Sequence, residues 1–165
     1  MNKNLILTGM MGVGKSTVGK KLAEKLKLKF VDIDKIIEKK EKSTIKEIFK
    51  KKGENYFRKT EKQITMDELK KNNSVIALGG GAFLNKLVRK EIKDSAVSFW
   101  LDLDPKSLLL RLKNVEKRPL LNKENLEESI NRIYSERKKI YNESNFRIKC
   151  NSENIGETIR KIIKL

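Results

Sequence analysis

Histidine is absent from the sequence, and cysteine occurs once, at Cys150. The absence of histidine excludes histidine general bases, histidine metal ligands and hydrolases of the Ser-His-Asp type. A single cysteine cannot form an internal disulfide, which agrees with a reducing compartment. We therefore expect a cytoplasmic protein that uses neither disulfides nor histidine chemistry.

Long apolar segments are absent as well. The first apolar run, Leu5-Ile6-Leu7, is too short for a signal peptide. No stretch is long enough to span a membrane, so we expect no membrane partner. The length of 165 residues suits one domain with its own core. We expect residues 1–165 to form a single domain that is monomeric.

Aromatic residues are scarce, at 6%, although the net charge is +17. RNA-binding modules that stack bases need aromatic side chains on a sheet face, and the lysines here are spread over almost every segment. We therefore expect no specific nucleic-acid partner, only non-specific attraction at low salt. The 39 basic residues include eight arginines, which indicates that arginine stands where a planar fork of donors is needed.

A phosphate-binding loop motif follows the first apolar run, as Gly9-x-x-x-x-Gly14-Lys15-Ser16. Glycines permit turns that bring successive backbone N–H groups around a polyphosphate, and the next helix adds its free N–H groups. Lys15 brings a cation to the outer phosphates, and the Ser16 hydroxyl can ligate magnesium. Apolar residues at helical spacing follow, namely Val18, Leu22 and Leu26. The sequence therefore predicts a nucleotide-binding site.

Two aspartates end the next extended segment, Phe30-Val31-Asp32-Ile33-Asp34. We interpret it as a second strand whose end faces the ligand crevice of a parallel sheet. Asp32 and Asp34 point the same way if this segment is extended. The alternative is that one of them caps the next helix, which is expected to start near Lys35, and a cap explains Asp34 better than Asp32.

Residues 35–71 follow a helical pattern. Thr44-Ile45-Lys46-Glu47 is a candidate capping box, and its helix is expected to stop at Gly53. A longer helix is predicted from about Glu54 to Lys71, with Arg58 near its start. Position alone leaves Arg58 as either a surface charge or a site residue.

A buried strand, Val75-Ile76-Ala77-Leu78, ends in three glycines, residues 79–81. Three glycines cost chain entropy. A ligand lying against bare backbone would justify that cost, whereas a tight turn would usually need one glycine. Further strands are predicted at 97–101 and 146–150, and further helices at 105–113, from 126 onward with Arg137, and at 155–165.

Strands and helices alternate along the chain, which predicts an α/β fold. We expect a single-domain, three-layer P-loop kinase fold, with a five-stranded parallel sheet and helices on both faces. Residues 114–124 lack periodicity, contain Pro119 and place Arg118 beside two leucines. We interpret them as a lid that closes over the nucleotide. Together these features suggest a small phosphoryl-transfer kinase.

These motifs resemble those of the shikimate kinases over nearly the whole chain. The shared motifs are Gly-Met-Met-Gly-Val-Gly-Lys-Ser-Thr at 9–17, Phe-Val-Asp-Ile-Asp at 30–34, Ile-Lys-Glu-Ile-Phe at 45–49, Gly-Glu-x-x-Phe-Arg-x-x-Glu at 53–61, Gly-Gly-Gly at 79–81, Arg-Pro-Leu-Leu at 118–121 and Glu-Arg-x-x-x-Tyr at 136–141. This order and spacing is much more specific than the phosphate loop alone. The resemblance implies transfer of the γ-phosphoryl group of ATP to the 3-hydroxyl of shikimate, with Mg²⁺.

On the nucleotide side, the resemblance implies that Lys15 neutralises charge on the transferring group and that Arg118 reaches the phosphates when the lid closes. Ser16 would ligate magnesium directly, and Asp32 would hold it through water. The implied ATP contacts are Gly12, Val13, Gly14, Lys15, Ser16, Thr17, Arg111 and Arg118, with Arg111 against the adenine.

On the substrate side, the resemblance implies that the helices of residues 35–61 bind shikimate. Asp34 would contact the accepting hydroxyl, as its orienter or base, and would be catalytic together with Lys15 and Arg118. Arg58 and Arg137 would grip the shikimate carboxylate, because paired arginine forks suit a carboxylate. The backbone of Gly80 and Gly81 would lie beside the ring.

The chain departs from the family pattern at Lys42, where a glycine is frequent, and near Ile155, where a proline is frequent. Residues 151–153, Asn-Ser-Glu, stand where some members have a basic residue. The details of adenine contact therefore stay open.

Two other functions stay open on the sequence. One is another small-molecule kinase of the same fold, such as a gluconate or nucleoside monophosphate kinase. The other is a nucleotide-binding regulatory or RNA-associated protein without catalysis, against which the intact Lys15, Ser16, Asp32 and Asp34 argue. Substrate-dependent ADP release distinguishes the kinases.

Overall fold

The fold is a five-stranded, all-parallel sheet with the strand order β2-β3-β1-β4-β5, flanked by helices. It is seen in a computed structural model that describes residues 3–112, 121, 125–150 and 154–165. The strands are β1 Asn4–Thr8, β2 Lys29–Asp32, β3 Ser74–Ala77, β4 Ala96–Asp102 and β5 Phe146–Lys149. The predicted fold class is confirmed.

The helices follow the strands in alternation. They are α1 Lys15–Leu26, α2 Ile33–Glu41, α3 Ile45–Leu69, α4 Lys86–Ser95, α5 Pro105–Arg111, α6 Leu126–Tyr141 and α7 Ile155–Ile163, with a 3₁₀ turn at Ala82–Leu84. Among the described residues, no helix has the length and apolar character needed to cross a membrane.

Strand β1 forms the centre of the sheet and is buried along its whole length. Leu5, Ile6 and Leu7 pair with β3 on one side and with β4 on the other. A parallel strand covered on both faces needs apolar side chains at successive positions, which explains the continuous run in the sequence. The same reason applies to β3, whose four residues are all buried.

This strand order brings three chain segments to one edge of the sheet. Strands β1, β3 and β2 are neighbours, with Leu7 opposite Ala77 and Ala77 opposite Asp32. Because parallel strands end at the same edge, the residues after Thr8, Asp32 and Ala77 begin their loops side by side. These residues are the phosphate-loop motif, the second aspartate and the glycine segment.

The two aspartates do not lie on one extended strand, so that prediction is wrong. Strand β2 ends at Asp32, and α2 begins at Ile33, two residues before the expected start. Asp32 is the N-cap of α2, and its Oδ1 accepts a hydrogen bond from the Lys35 backbone N–H at 3.2 Å. The early start buries Ile33 and Ile37 on one face, one helical turn apart. Asp32, not Asp34, is therefore the capping residue.

Helix α3 begins with the predicted capping box. The Thr44 hydroxyl accepts from the Glu47 N–H at 3.3 Å, and the Thr44 N–H donates to Glu47 Oε2 at 2.8 Å. Gly53 interrupts the helix with φ 79° and ψ 168°. A positive φ favours glycine, so the predicted boundary between two helices at Gly53 appears as a break within α3.

Helix α4 has no counterpart among the predicted elements. The Asn85 Oδ1 accepts from the N–H groups of Leu87 and Val88 at 3.0 and 3.2 Å and so caps the helix. Val88 and Ile92 are fully buried, at helical i, i+4 spacing. The cap and the spacing were both available in the sequence.

A buried asparagine at the start of β1 joins three segments. Asn4 is 1% exposed, and its Oδ1 accepts from the Ser74 N–H at 3.0 Å. Its Nδ2 donates to the carbonyl oxygens of Leu69, at 3.2 Å, and of Lys71. The side chain therefore fixes the end of α3 and the start of β3 against the central strand.

We predict that Asn4→Ala lowers the free energy of unfolding by about 2 kcal/mol, because buried N–H and carbonyl groups lose their partner. Urea denaturation at neutral pH measures this change. Asn72→Ala is the control, since Asn72 is exposed, and it should change stability by no more than about 0.5 kcal/mol. Equal stability of the two variants would show that the Asn4 bonds contribute nothing net.

Candidate active site

The phosphate-loop motif forms a glycine-rich turn at the start of α1. Gly9, Gly12 and Gly14 have φ values of 135°, 79° and 97°, in the region that favours glycine. Gly14 is the N-cap residue, and α1 begins at Lys15. The first N–H groups of a helix lack partners within it, so the turn and the helix start together form a site for phosphate oxygens. Gly12 and Val13 lie in this turn, and Thr17 lies in the first turn of α1.

The Lys15 ammonium lies over this turn. Its Nζ donates to the carbonyl oxygens of Gly9 and Met10, each at 2.9 Å. These contacts keep the cation at the loop where a polyphosphate would bind, which is the placement that its predicted role requires.

Ser16 and Asp32 provide adjacent oxygen ligands. The Ser16 hydroxyl donates to Asp32 Oδ2 at 2.5 Å. No cluster of three or more cysteine or acidic side chains placed for a metal occurs among the described residues. Magnesium binds oxygen ligands, keeps several waters and uses phosphate oxygens, so a hydroxyl and one carboxylate beside the phosphate loop fit this ion.

Asp34 and Glu61 approach each other at Gly79. A Cβ atom on Gly79 would lie 2.7 Å from Asp34 Oδ1 and would also overlap Glu61 Oε1. The close approach of the two carboxyl groups therefore requires glycine at this position. Asp34 itself lies in the first turn of α2, two residues beyond the end of β2.

Glu61 is 2% exposed. Its burial raises the pKa of the Glu61 carboxyl above the ordinary value, the Arg58 guanidinium opposes that change, and the nearby Asp34 charge adds to it. Glu61 Oε2 accepts from Arg58 Nη1 at 2.7 Å. The sequence contained Glu61 in a motif, three residues after Arg58, and this spacing was the available signal for the ion pair.

Arg58 extends from α3 over the glycine segment. Its Nε and Nη2 contact Glu54 Oε1, both at 3.3 Å. A Cβ atom on Gly81 would lie 2.6 Å from Arg58 Cζ, so the guanidinium occupies space that only glycine leaves open. The fork is thus held by Glu54 and Glu61 and placed against the backbone of Gly81.

Arg137 and Tyr141 reach the same segment from α6. Arg137 Nη1 donates to the Gly80 carbonyl oxygen at 3.0 Å, and the Tyr141 hydroxyl donates to the same oxygen. Arg137 is 9% exposed and Tyr141 is fully buried. Burial raises the pKa of the Tyr141 hydroxyl, and the neighbouring Arg137 charge opposes this. Tyr141 is the last residue of the motif at 136–141, but the sequence alone indicates no role for it.

Most of the charged groups described above line one cavity of about 650 Å³. Apolar walls come from Met11, Ile45, Phe49 and Phe57. The polar lining consists of Ser16, Asp32, Asp34, Lys35, Glu38, Thr44, Lys46, Arg58, Glu61, Gly80, Gly81 and Arg137. A cavity of this size and mixed lining suits a small molecule that has both polar and apolar surface.

The predicted site residues that the structure describes thus lie together, at the phosphate loop and around the adjoining cavity. Arg111, at the end of α5, donates from Nη1 to the Val13 carbonyl at 3.0 Å, so it lies at the phosphate loop. Arg118 and the predicted lid, residues 114–124, lie outside the described residues, except for Leu121. Residues 151–153, the predicted adenine side, also lie outside them.

Comparison with known proteins gives the family. The family model described as shikimate kinase matches residues 11–165. A curated shikimate kinase from Sulfurihydrogenibium sp. is 43% identical over 161 residues, which cover 98% of this chain and 96% of the relative. One from Bartonella henselae is 38% identical over 99% of this chain and 78% of its own length.

Solved structures agree with this result. Shikimate kinase from Acinetobacter baumannii, in complex with shikimate, superposes with a TM-score of 0.94 and 33% identity, covering 98% of this chain and 91% of that one. A gluconokinase from Sinorhizobium meliloti has a TM-score of 0.61 at 15% identity, with 98% of this chain and 90% of that one covered, which shows a shared fold alone. The sequence-based family prediction is confirmed: this chain belongs to the shikimate kinase family.

Proposed function

We propose that this protein transfers the γ-phosphoryl group of ATP to the 3-hydroxyl of shikimate and releases ADP and shikimate 3-phosphate. The observation that carries the proposal is the buried Arg137 guanidinium in the cavity beside the phosphate loop. Among the described residues, no carboxylate oxygen lies within 4.0 Å of it, and its hydrogen bond goes to the neutral Gly80 carbonyl. A buried cation of this kind favours an anionic ligand.

The shikimate carboxylate supplies that anion. Arg58 and Arg137 line the same cavity and lie against adjacent glycines, Gly81 and Gly80. Arg58 already forms ion pairs with Glu54 and Glu61. Its positive charge is therefore partly compensated, and Arg137 attracts the substrate carboxylate more strongly. The ring of the substrate then lies against the apolar wall that includes Phe49 and Phe57.

The phosphoryl donor binds at the loop. ATP phosphates contact the backbone of residues 12–17, with Lys15 on the outer phosphates and Arg111 on the adenine side. Ser16 would hold magnesium directly and Asp32 would hold it through water, and the bound ion would neutralise charge on the phosphates. Arg118 and the lid of residues 114–124 complete this part of the proposal.

Asp34 connects the two halves of the site. It lies in the cavity with Ser16 and Arg58 and accepts a hydrogen bond from the 3-hydroxyl, as its orienter or base. The hydroxyl oxygen forms a bond to the γ-phosphorus while the bond to the ADP oxygen breaks. Phosphoryl transfer needs chiefly positioning and charge stabilisation, which this arrangement provides.

The proposal also covers the oligomeric state, the cellular compartment, the partners and the substrate-binding segment of the protein. We propose that the protein acts as a monomer in the cytoplasm, without a specific nucleic-acid partner, and that helices within residues 35–61 form its substrate-binding part. Nine residues that line the cavity come from this segment, namely Lys35, Glu38, Thr44, Ile45, Lys46, Phe49, Phe57, Arg58 and Glu61.

The reaction itself is the first test. With Mg²⁺ and ATP, we expect ADP release on addition of shikimate and much less with gluconate or a nucleoside monophosphate, measured by a coupled assay. Lys15→Ala should lower turnover by about a hundredfold or more, the scale for loss of a preorganised charge at a transferring group.

Lys20→Ala on the same helix is the matched control, because Lys20 is exposed, and it should retain wild-type turnover. Circular dichroism should show that both variants are folded. Folded, ATP-binding wild-type protein without shikimate-dependent turnover would contradict the proposed reaction, and near-normal turnover of Lys15→Ala would contradict the role of the loop.

The second test concerns the arginine fork. Arg58→Lys keeps the charge and loses the planar fork, so we expect the KM for shikimate to rise about tenfold while ATP binding is unchanged. Arg132→Lys is the control, since the Arg132 side chain is 64% exposed and pairs only distantly with Glu136. If both variants have the wild-type KM for shikimate, Arg58 has only a structural role, and its proposed contact with the shikimate carboxylate is refuted.

A further inference from the structure

Arg89 on α4 makes three contacts with one guanidinium fork. Its Nη1 donates to the carbonyl oxygens of Phe83 and Leu84 at 2.9 and 3.0 Å. Its Nε donates to Glu143 Oε2 at 3.2 Å. The side chain is 12% exposed. Arg89 is one of few arginines in a lysine-rich chain, and none of the site assignments above includes it.

The first two contacts fix the turn that follows the glycine segment. Phe83 and Leu84 belong to the 3₁₀ turn Ala82–Leu84. The Ala82 N–H donates to the Gly79 carbonyl at 3.2 Å, and the Leu84 N–H donates to the Gly81 carbonyl at 3.0 Å. Because the turn is hydrogen-bonded to both ends of the glycine segment, a shift of the turn also shifts the backbone of that segment.

The third contact reaches the end of α6. Glu143 lies two residues beyond the last residue of α6, Tyr141, and its N–H donates to the Ile140 carbonyl at 3.0 Å. Helix α6 carries Arg137 and Tyr141, whose side chains both donate to the Gly80 carbonyl. Arg89 therefore closes a ring of contacts that runs from Gly80 through α6 and Glu143 and back through the 3₁₀ turn.

We propose that Arg89 is a positioning residue, which sets the Gly80–Gly81 backbone relative to Arg137 and thereby sets the geometry of the shikimate side of the site. The proposal rests on the proposed function. A lysine cannot replace it, because the acceptors engage two different nitrogens of a rigid fork, whereas lysine has a single nitrogen. Arg89 does not line the cavity, and within the described part of the chain its hydrogen bonds go to Phe83, Leu84 and Glu143 and not to the phosphate loop. We therefore expect its influence to fall on shikimate binding more than on ATP binding.

The test compares Arg89→Lys with Arg160→Lys, the same substitution at an exposed position. Shikimate KM, ATP KM, kcat and melting temperature are measured for each. We expect Arg89→Lys to raise the shikimate KM by about fivefold or more, since small misplacements of binding groups are costly, and to leave the ATP KM within about twofold of wild type. Arg160→Lys should match the wild type in all four.

A second pair of variants separates positioning from stability. Glu143→Ala cuts the link to α6 and leaves the carbonyl contacts of Arg89 in place, and it should also raise the shikimate KM selectively. Lys93→Met removes the other cation on Glu143, which donates at 2.9 Å, and should leave the shikimate KM unchanged. Glu143→Ala decides the question if Arg89→Lys does not fold.

A lower melting temperature with an unchanged shikimate KM, in Arg89→Lys or in folded Glu143→Ala, would show a structural role and overturn the proposal. An equal rise of both KM values would overturn it as well. Wild-type protein without shikimate turnover would contradict the proposed function, whereas active wild type with an unaffected variant would contradict the Arg89 assignment alone.

Discussion

The absence of side chains at residues 79–81 allows groups from three helices to meet at one point. Gly79 leaves room for the carboxyl groups of Asp34 and Glu61, and Gly81 leaves room for the Arg58 guanidinium. The Gly80 carbonyl oxygen receives Arg137 and Tyr141. Since no positive φ is found at these three glycines, close approach and not an unusual turn explains glycine at positions 79 and 81.

The balance of buried charge follows from this convergence. Glu61 is buried and compensates part of the charge of Arg58, and its own raised pKa reflects the cost of that burial. Arg137 is nearly as buried and hydrogen-bonds to a neutral oxygen. Among the described residues no carboxylate forms an ion pair with Arg137, and a desolvated cation of this kind is stabilised when an anion binds, because the low local dielectric strengthens their attraction. This arrangement of charge supports the proposed carboxylate ligand.

The sequence predicted the elements whose signals are local. The apolar runs of β1 and β3, the glycines before Lys15 and the Thr44 capping box each specify their structure through neighbouring residues. The prediction that Asp32 and Asp34 lie on one extended strand is wrong, because the burial of Ile33 and Ile37 against the core decides where α2 begins. That packing is a tertiary effect, which periodicity over five residues does not contain.

The contacts that organise the site were the least predictable part. The sequence suggested that bare backbone at 79–81 serves a ligand, whereas much of that space holds the protein's own Glu61, Asp34 and Arg58 side chains. Arg89 meets Glu143 across 54 positions of sequence, and no local pattern specifies such a pair. The scarcity of arginine in this lysine-rich chain did indicate which positions need a planar guanidinium group. The acceptors of these groups are seen only in the folded structure.

The central claim is that Arg58 and Arg137 receive one shikimate carboxylate above the glycine segment. A crystal structure of the protein with shikimate and ADP tests it most directly. The account predicts carboxylate oxygens at roughly 2.7–3.2 Å from nitrogens of both guanidinium groups, with a ring hydroxyl beside Asp34. A shikimate carboxylate bound elsewhere, or in contact with neither arginine, would contradict it.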